Sequence, residues 1–158
     1  MTEPTPSQTV GPFFGFALPF ENDADAAGEV AGTIRVEGRV LDGAGEPVPD
    51  ALVEAFQGEQ FARCRTDGKG AFHLIVRKPA AENEGAPCFE ITLFARGLLR
   101  HLRTRMYFPD EEKANRADRV LKLLDPARRH TLMARGNGDV LQFDIRLQGE
   151  GETVFFAF

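Results

Sequence analysis

The chain of 158 residues has no tryptophan and a single tyrosine, Tyr107, beside fourteen phenylalanines. Phenylalanine supplies apolar area without a polar handle, so the chain has many packing groups and very few phenols. The three histidines, His73, His101 and His130, form no HxH or HExxH pairing, which removes the local spacings that place two imidazoles on one metal. The two cysteines, Cys64 and Cys88, make no CxxC motif. They read as reduced thiols of a cytoplasmic protein, with a bridge between them the lesser alternative. No apolar run approaches the length of a membrane helix, and the start MTEPTPSQTV lacks the basic and apolar regions of a signal peptide. A net charge of -5 argues against nucleic acid as a main partner. No G-x-S-x-G elbow, Walker loop or dinucleotide fingerprint is present.

What is there is a β pattern preceded by an arm. Residues 1–31 carry Pro4, Pro6, Pro12 and Pro19 and an apolar cluster at Phe13, Phe14, Phe16 and Phe20. A tail exposing several phenylalanines would be adhesive, so an extended arm docked on its own domain or on a partner is the preferred reading over disorder. Residues 32–158 form one domain, long enough to bury a core. Ile34, Val36 and Val40 alternate with charged residues, and Ala51 to Phe56 reads as a second strand. Thr66-Asp67-Gly68-Lys69-Gly70 is hairpin chemistry before Ala71 to Val76. Cys88 to Ala95 and His101 to Phe108 are further strands. Acidic residues after Pro109 open a helix whose apolar positions run to Leu124. Thr131 to Ala134, Val140 to Leu147 and Thr153 to Phe158 complete seven or eight short strands, the signature of an all-β sandwich with a short helical insertion.

The stretch PCFEITLFARG, Pro87 to Gly97, is the most informative. Phe89, Ile91 and Leu93 share one strand face, and Cys88, Glu90 and Thr92 the other. Cys88 and Glu90 could be read as two ligands on one face, but no histidine accompanies them, and a half-buried strand with a small apolar Cys and an exposed or paired Glu is the simpler reading. Arg96 stands at the strand's end before Gly97, where a guanidinium can reach a cleft and take a carboxylate through two hydrogen bonds. Arg103 and Arg105 share one face of the following strand and read as a solvated or ion-paired face.

Taken together, TPSQTVGPFF (Thr5 to Phe14), GRVLDGAGEPVPDALVEAFQ, RCRTDGKGAFHLIVRKP, LFARG, TRMYFPDE and FDIRLQGEGETVFFAF resemble the intradiol ring-cleavage dioxygenases, and among them the α subunits of the protocatechuate 3,4-dioxygenases. The resemblance implies an intradiol-dioxygenase-like β-sandwich and a large α/β hetro-assembly. It also implies Fe(III) held by two Tyr and two His of the partner β chain, with none bound by this chain; Cys88 and Glu90 stand where the two His would be. The substrates implied are protocatechuate and O2. By the same resemblance Thr9, Gly11, Pro12 and Phe13 of the arm, with Arg96, line the substrate pocket; Phe13 stands where the family often has Tyr. A stand-alone transthyretin-like binding module, suggested by GRVLDGAGEPVPDALVEA and TDGKGAFHL, is the alternative.

Overall fold

A computed structural model describes residues 4–28, 31–81 and 85–157. Among these, nine strands form two sheets. In the first, β1 (Thr33–Leu41) pairs antiparallel with β4 (Ala71–Arg77) and parallel with β8 (Val140–Gln142) and β9 (Ile145–Arg146), while β7 (Arg135–Asn137) flanks β8. The second runs β3 (Gln60–Arg65), β2 (Leu52–Gln57), β5 (Cys88–Phe94), β6 (Leu102–Tyr107), all antiparallel.

Period-two alternation places the core. Val36, Leu74 and Val76 from one sheet and Val53, Phe89, Ile91 and Leu93 from the other are buried in a single cluster. Burying a side chain of this kind contributes about 1.5–3 kcal/mol, so the alternation fixes which face of each strand turns inward. Gly38 marks the break between β8 and β9. A Cβ there would overlap the Phe143 carbonyl oxygen and lie 2.7 Å from the Phe72 ring, so only glycine admits the crossing.

The all-β architecture and the helical insertion follow the sequence pattern; several local expectations do not. Thr131 to Ala134 is not a strand: residues Arg129–Leu132 form a 3-10 helix, closed by the Thr131 hydroxyl donating to Arg128 O at 2.8 Å. The expected strand Val140 to Leu147 is two short ones, split at Gly38's crossing. Thr153–157 form no strand and touch the sheets at separate points, through Thr153 N–H to Arg146 O and Phe156 N–H to Arg103 O. The insertion is two helices, α2 (Glu112–Ala117) and α3 (Arg119–Leu123), separated by Asp118. No helix among the described residues is long and apolar enough to cross a membrane. Cys64 and Cys88 are half-buried thiols and are not bridged to each other.

The arm is not extended throughout. Phe14–Ala17 form one short helical turn, α1, and Phe14 alone of the arm's four phenylalanines is buried. Farther on, Arg63 N–H donates to Asp23 O at 2.7 Å, and Ala24 to Ala26 exchange backbone bonds with Ile75. The arm thus covers the exposed edges of β3 and β4, a common way to protect unpaired strand edges. Residues 1–3 and 29–30, part of the expected arm, and Phe158, the end of the expected last strand, lie outside the described residues.

Candidate functional site

Three segments meet at one end of the second sheet. Leu52 of β2 faces Phe94 of β5 and Arg65 of β3. That register brings Asp50, just before β2, beside Arg96, just after β5, and beside Arg65 at the end of β3. Arg96 Nη2 donates to Asp50 Oδ2 at 3.3 Å, and Arg65 pairs with the other Asp50 oxygen. The Arg65 guanidinium lies over the Phe16 ring, 4.2 Å from its centroid, an attraction between cation and ring face. Gly97 has φ +90°, a conformation that side chains disfavour, and its N–H donates to Thr9 Oγ1 at 2.8 Å.

The structure therefore brings Thr9 and Arg96 to one place. Gly11, Pro12 and Phe13 form the exposed turn between Thr9 and α1. A Cβ on Gly11 would meet nothing within 4 Å, so no close approach inside this chain calls for glycine there. Phe13 is 76% exposed, and its carbonyl accepts from Phe16 and Ala17 N–H at 3.0 Å. Asp50 and Arg65 are members of the cluster that the sequence reading missed. Two guanidiniums on one carboxylate leave the trio with one net positive charge. Arg96 is half-exposed, and a guanidinium has five N–H donors. Chemically, the cluster suits an additional carboxylate.

The face of Cys88 and Glu90 is a second, different place. Across the β5–β6 ladder Cys88 faces Tyr107 and Glu90 faces Arg105. The Glu90 carboxylate accepts from Arg103 at 2.8 Å and from Arg105 at 3.3 Å. Tyr107 is fully buried; its hydroxyl donates to Asp118 Oδ1 at 3.3 Å and lies 3.5 Å from Arg105 Nη1. Burial pushes the phenol well above its ordinary range, against the opposing pull of Arg105. A cavity of about 580 Å³ opens here, lined by Phe56, Cys88, Glu90, Arg105, Arg119 and Leu123 among others.

This donor set does not fit ferric iron. Two guanidiniums occupy the Glu90 carboxylate, the buried phenol donates to Asp118, which already accepts two backbone N–H groups, and no imidazole lines the cavity. Among the described residues no group of three or more His, Cys, Asp or Glu is placed to hold a metal ion. The His101 ring instead lies tilted against Phe94, 5.6 Å between centroids, and His130 Nδ1 lies 2.8 Å from Ala127 O.

No protein-family model matches the chain. It is 37% identical to the protocatechuate 3,4-dioxygenase alpha chain of Pseudomonas putida, over 98% of this chain and 96% of that one. It is also 37% identical to the alpha chain of the same enzyme from Burkholderia cepacia, over 96% of each. The first alignment spans 196 positions against the 158 residues here, so the relative carries segments that this chain lacks. Among solved structures, the dioxygenase domain of a dioxygenase carbohydrate-binding protein fusion from Streptomyces sp. SirexAA-E superposes with TM-score 0.64. The identity is 23%, over 93% of this chain and 99% of that one. Hydroxyquinol 1,2-dioxygenase from Pseudomonas putida DLL-E4 gives TM-score 0.62 at 16% identity, over 92% of this chain and 62% of that one. At these identities the structural likeness establishes the fold.

Proposed function

Because the chain belongs to the family of protocatechuate 3,4-dioxygenase alpha chains, within the intradiol ring-cleavage dioxygenases, we propose that it is the non-catalytic α subunit of such an enzyme. Its partner is a related β chain that carries the ferric iron, in a large cytoplasmic hetero-oligomer. The assembly cleaves protocatechuate with O2 between the two ring hydroxyls, giving 3-carboxy-cis,cis-muconate. The carrying observation is the whole-chain likeness to curated alpha chains, which leaves the stand-alone module reading without support. The guanidinium-filled face of Cys88 and Glu90 fits the same division of labour.

In this reading residues 1–31 are an arm and residues 32–158 a sandwich domain. Arg96 takes the substrate's carboxylate, and Thr9, Gly11, Pro12 and Phe13 close over the ring at the interface with the partner. The open space at Gly11 leaves room for the partner or the substrate to approach the backbone. The exposed rings of Phe13, Phe16 and Phe20 supply apolar area for that interface. Iron on the partner supplies Lewis-acid binding of the catecholate; this chain orients the ring and excludes water.

Co-expression with the related chain tests this. Oxygen uptake on protocatechuate is expected from the pair. Deleting residues 1–12, which leaves buried Phe14 on the domain, lowers kcat/KM about tenfold or more through lost positioning. Residues 4–9, 11 and 12 are exposed, where single substitutions typically change stability by no more than ~0.5 kcal/mol, so the sandwich is expected to stay folded. Unaltered activity of the truncated assembly, measured by the same uptake assay, rules out the arm's role.

A further inference from the structure

Asp50 has more structure behind it than a surface counter-ion needs. Its φ is +62°, in the left-handed region where residues other than glycine are uncommon and Asp and Asn are tolerated best. The segment is clamped to the end of β3 by Thr66. Thr66 N–H donates to Ala51 O at 2.8 Å, Ala51 N–H donates to Thr66 Oγ1 at 2.8 Å, and that hydroxyl donates to Val48 O at 2.9 Å. Thr66 is buried and follows Arg65 directly, so the backbone itself fixes Asp50 beside Arg65. The β2–β5 register fixes it beside Arg96.

We propose that Asp50 is a positioning residue for substrate recognition: it keeps the Arg65 and Arg96 guanidiniums side by side, so that Arg96 is already aimed when a carboxylated ring arrives. This rests on the reading that Arg96 takes the substrate's carboxylate. Without Asp50 the two cations repel each other, and Arg96, with over half its side chain exposed, regains its rotamers. An opposing effect exists, because Asp50 also competes with the substrate for Arg96. An exposed ion pair is weak, so its removal gains little, and the loss of order dominates.

The experiment compares oxygen uptake on protocatechuate and on catechol, which lacks the carboxylate, for the co-expressed assembly carrying wild-type chain, Asp50→Asn, Arg96→Ala or both. Asn tolerates the left-handed backbone while removing the charge; Asp50→Gly, which relaxes the same φ, replaces it if the Asn variant fails to fold. Asp50→Asn is expected to raise KM for protocatechuate more than it lowers kcat. The preference for protocatechuate over catechol falls about three- to tenfold, the range for ordering one long side chain. In the Arg96→Ala background the same substitution adds almost nothing, because it acts through Arg96. Arg96→Ala lowering the preference while Asp50→Asn leaves it unchanged, or adds its full effect to the double variant, overturns the positioning role and leaves the Arg96 reading intact. Arg96→Ala leaving the preference at the wild-type value overturns both.

Discussion

Arg96→Ala in the assembled enzyme is expected to lower the ratio of kcat/KM for protocatechuate to that for catechol by about 10- to 100-fold. A hydrogen bond to a charged group contributes about 1.5–3 kcal/mol, and ~1.4 kcal/mol is a factor of ten. The effect falls on protocatechuate because only that ring carries the carboxylate. Arg96 is half-exposed in the chain alone, where such a bond would be worth much less. The full effect therefore requires the partner to cover the site, and the measured size of the loss reports how dry the pocket becomes. Steady-state kinetics on both substrates checks this; equal losses on the two rings would detach Arg96 from the carboxylate.

The largest effect on stability is expected at Asp118. It is buried, and it accepts from Leu121 N–H at 2.9 Å, Ala86 N–H at 3.0 Å and the Tyr107 hydroxyl at 3.3 Å. It caps α3, ends α2, and ties both to the strand face beneath the cavity. Asp118→Ala leaves buried donors without acceptors at about 1–3 kcal/mol each and removes a cap worth ~1 kcal/mol. Partial relaxation brings the total to about 3–5 kcal/mol. For a chain of this size Tm falls by roughly 10 °C. Asp118→Asn keeps one acceptor oxygen but turns an amide toward a second donor, so it loses about half as much. Thermal unfolding of the assembly followed by circular dichroism measures both; a drop of only a degree or two for the alanine variant would show that the carboxylate is dispensable.

The sequence carried the strands whose inward faces alternate cleanly. CFEITLF could be read residue by residue because Phe89, Ile91 and Leu93 all turn into one core. The Thr66 to Gly70 turn was equally legible, since Asp67 closes it locally by accepting from Lys69 and Ala71 N–H. Segments held by distant partners were not legible. Residues 153–157 alternate like a strand yet follow two different strands at single points. Thr131 and Leu132 look like strand residues but sit in a turn closed by a side-chain bond. At the site, Thr9 was reached through motif resemblance and Arg96 already through its place at a strand end, and the structure joins them through Gly97. Nothing local in the sequence marks Asp50 or Arg65 as members of the site. Their pairing depends on how β2 registers against β3 and β5, a property of the whole sheet that no local pattern states. The arm's phenylalanines were expected to dock on this domain or on a partner; within this chain only Phe14 is buried, and Phe16 lies under the Arg65 guanidinium.

The division of labour is tested most directly by where the iron goes. The chain is purified alone and together with the related chain, and iron is quantified alongside visible absorption. The account predicts a colourless, iron-free chain on its own, and stoichiometric iron with tyrosinate-to-iron charge-transfer absorption only when the partner is present. Stoichiometric iron with that absorption in this chain alone would contradict it.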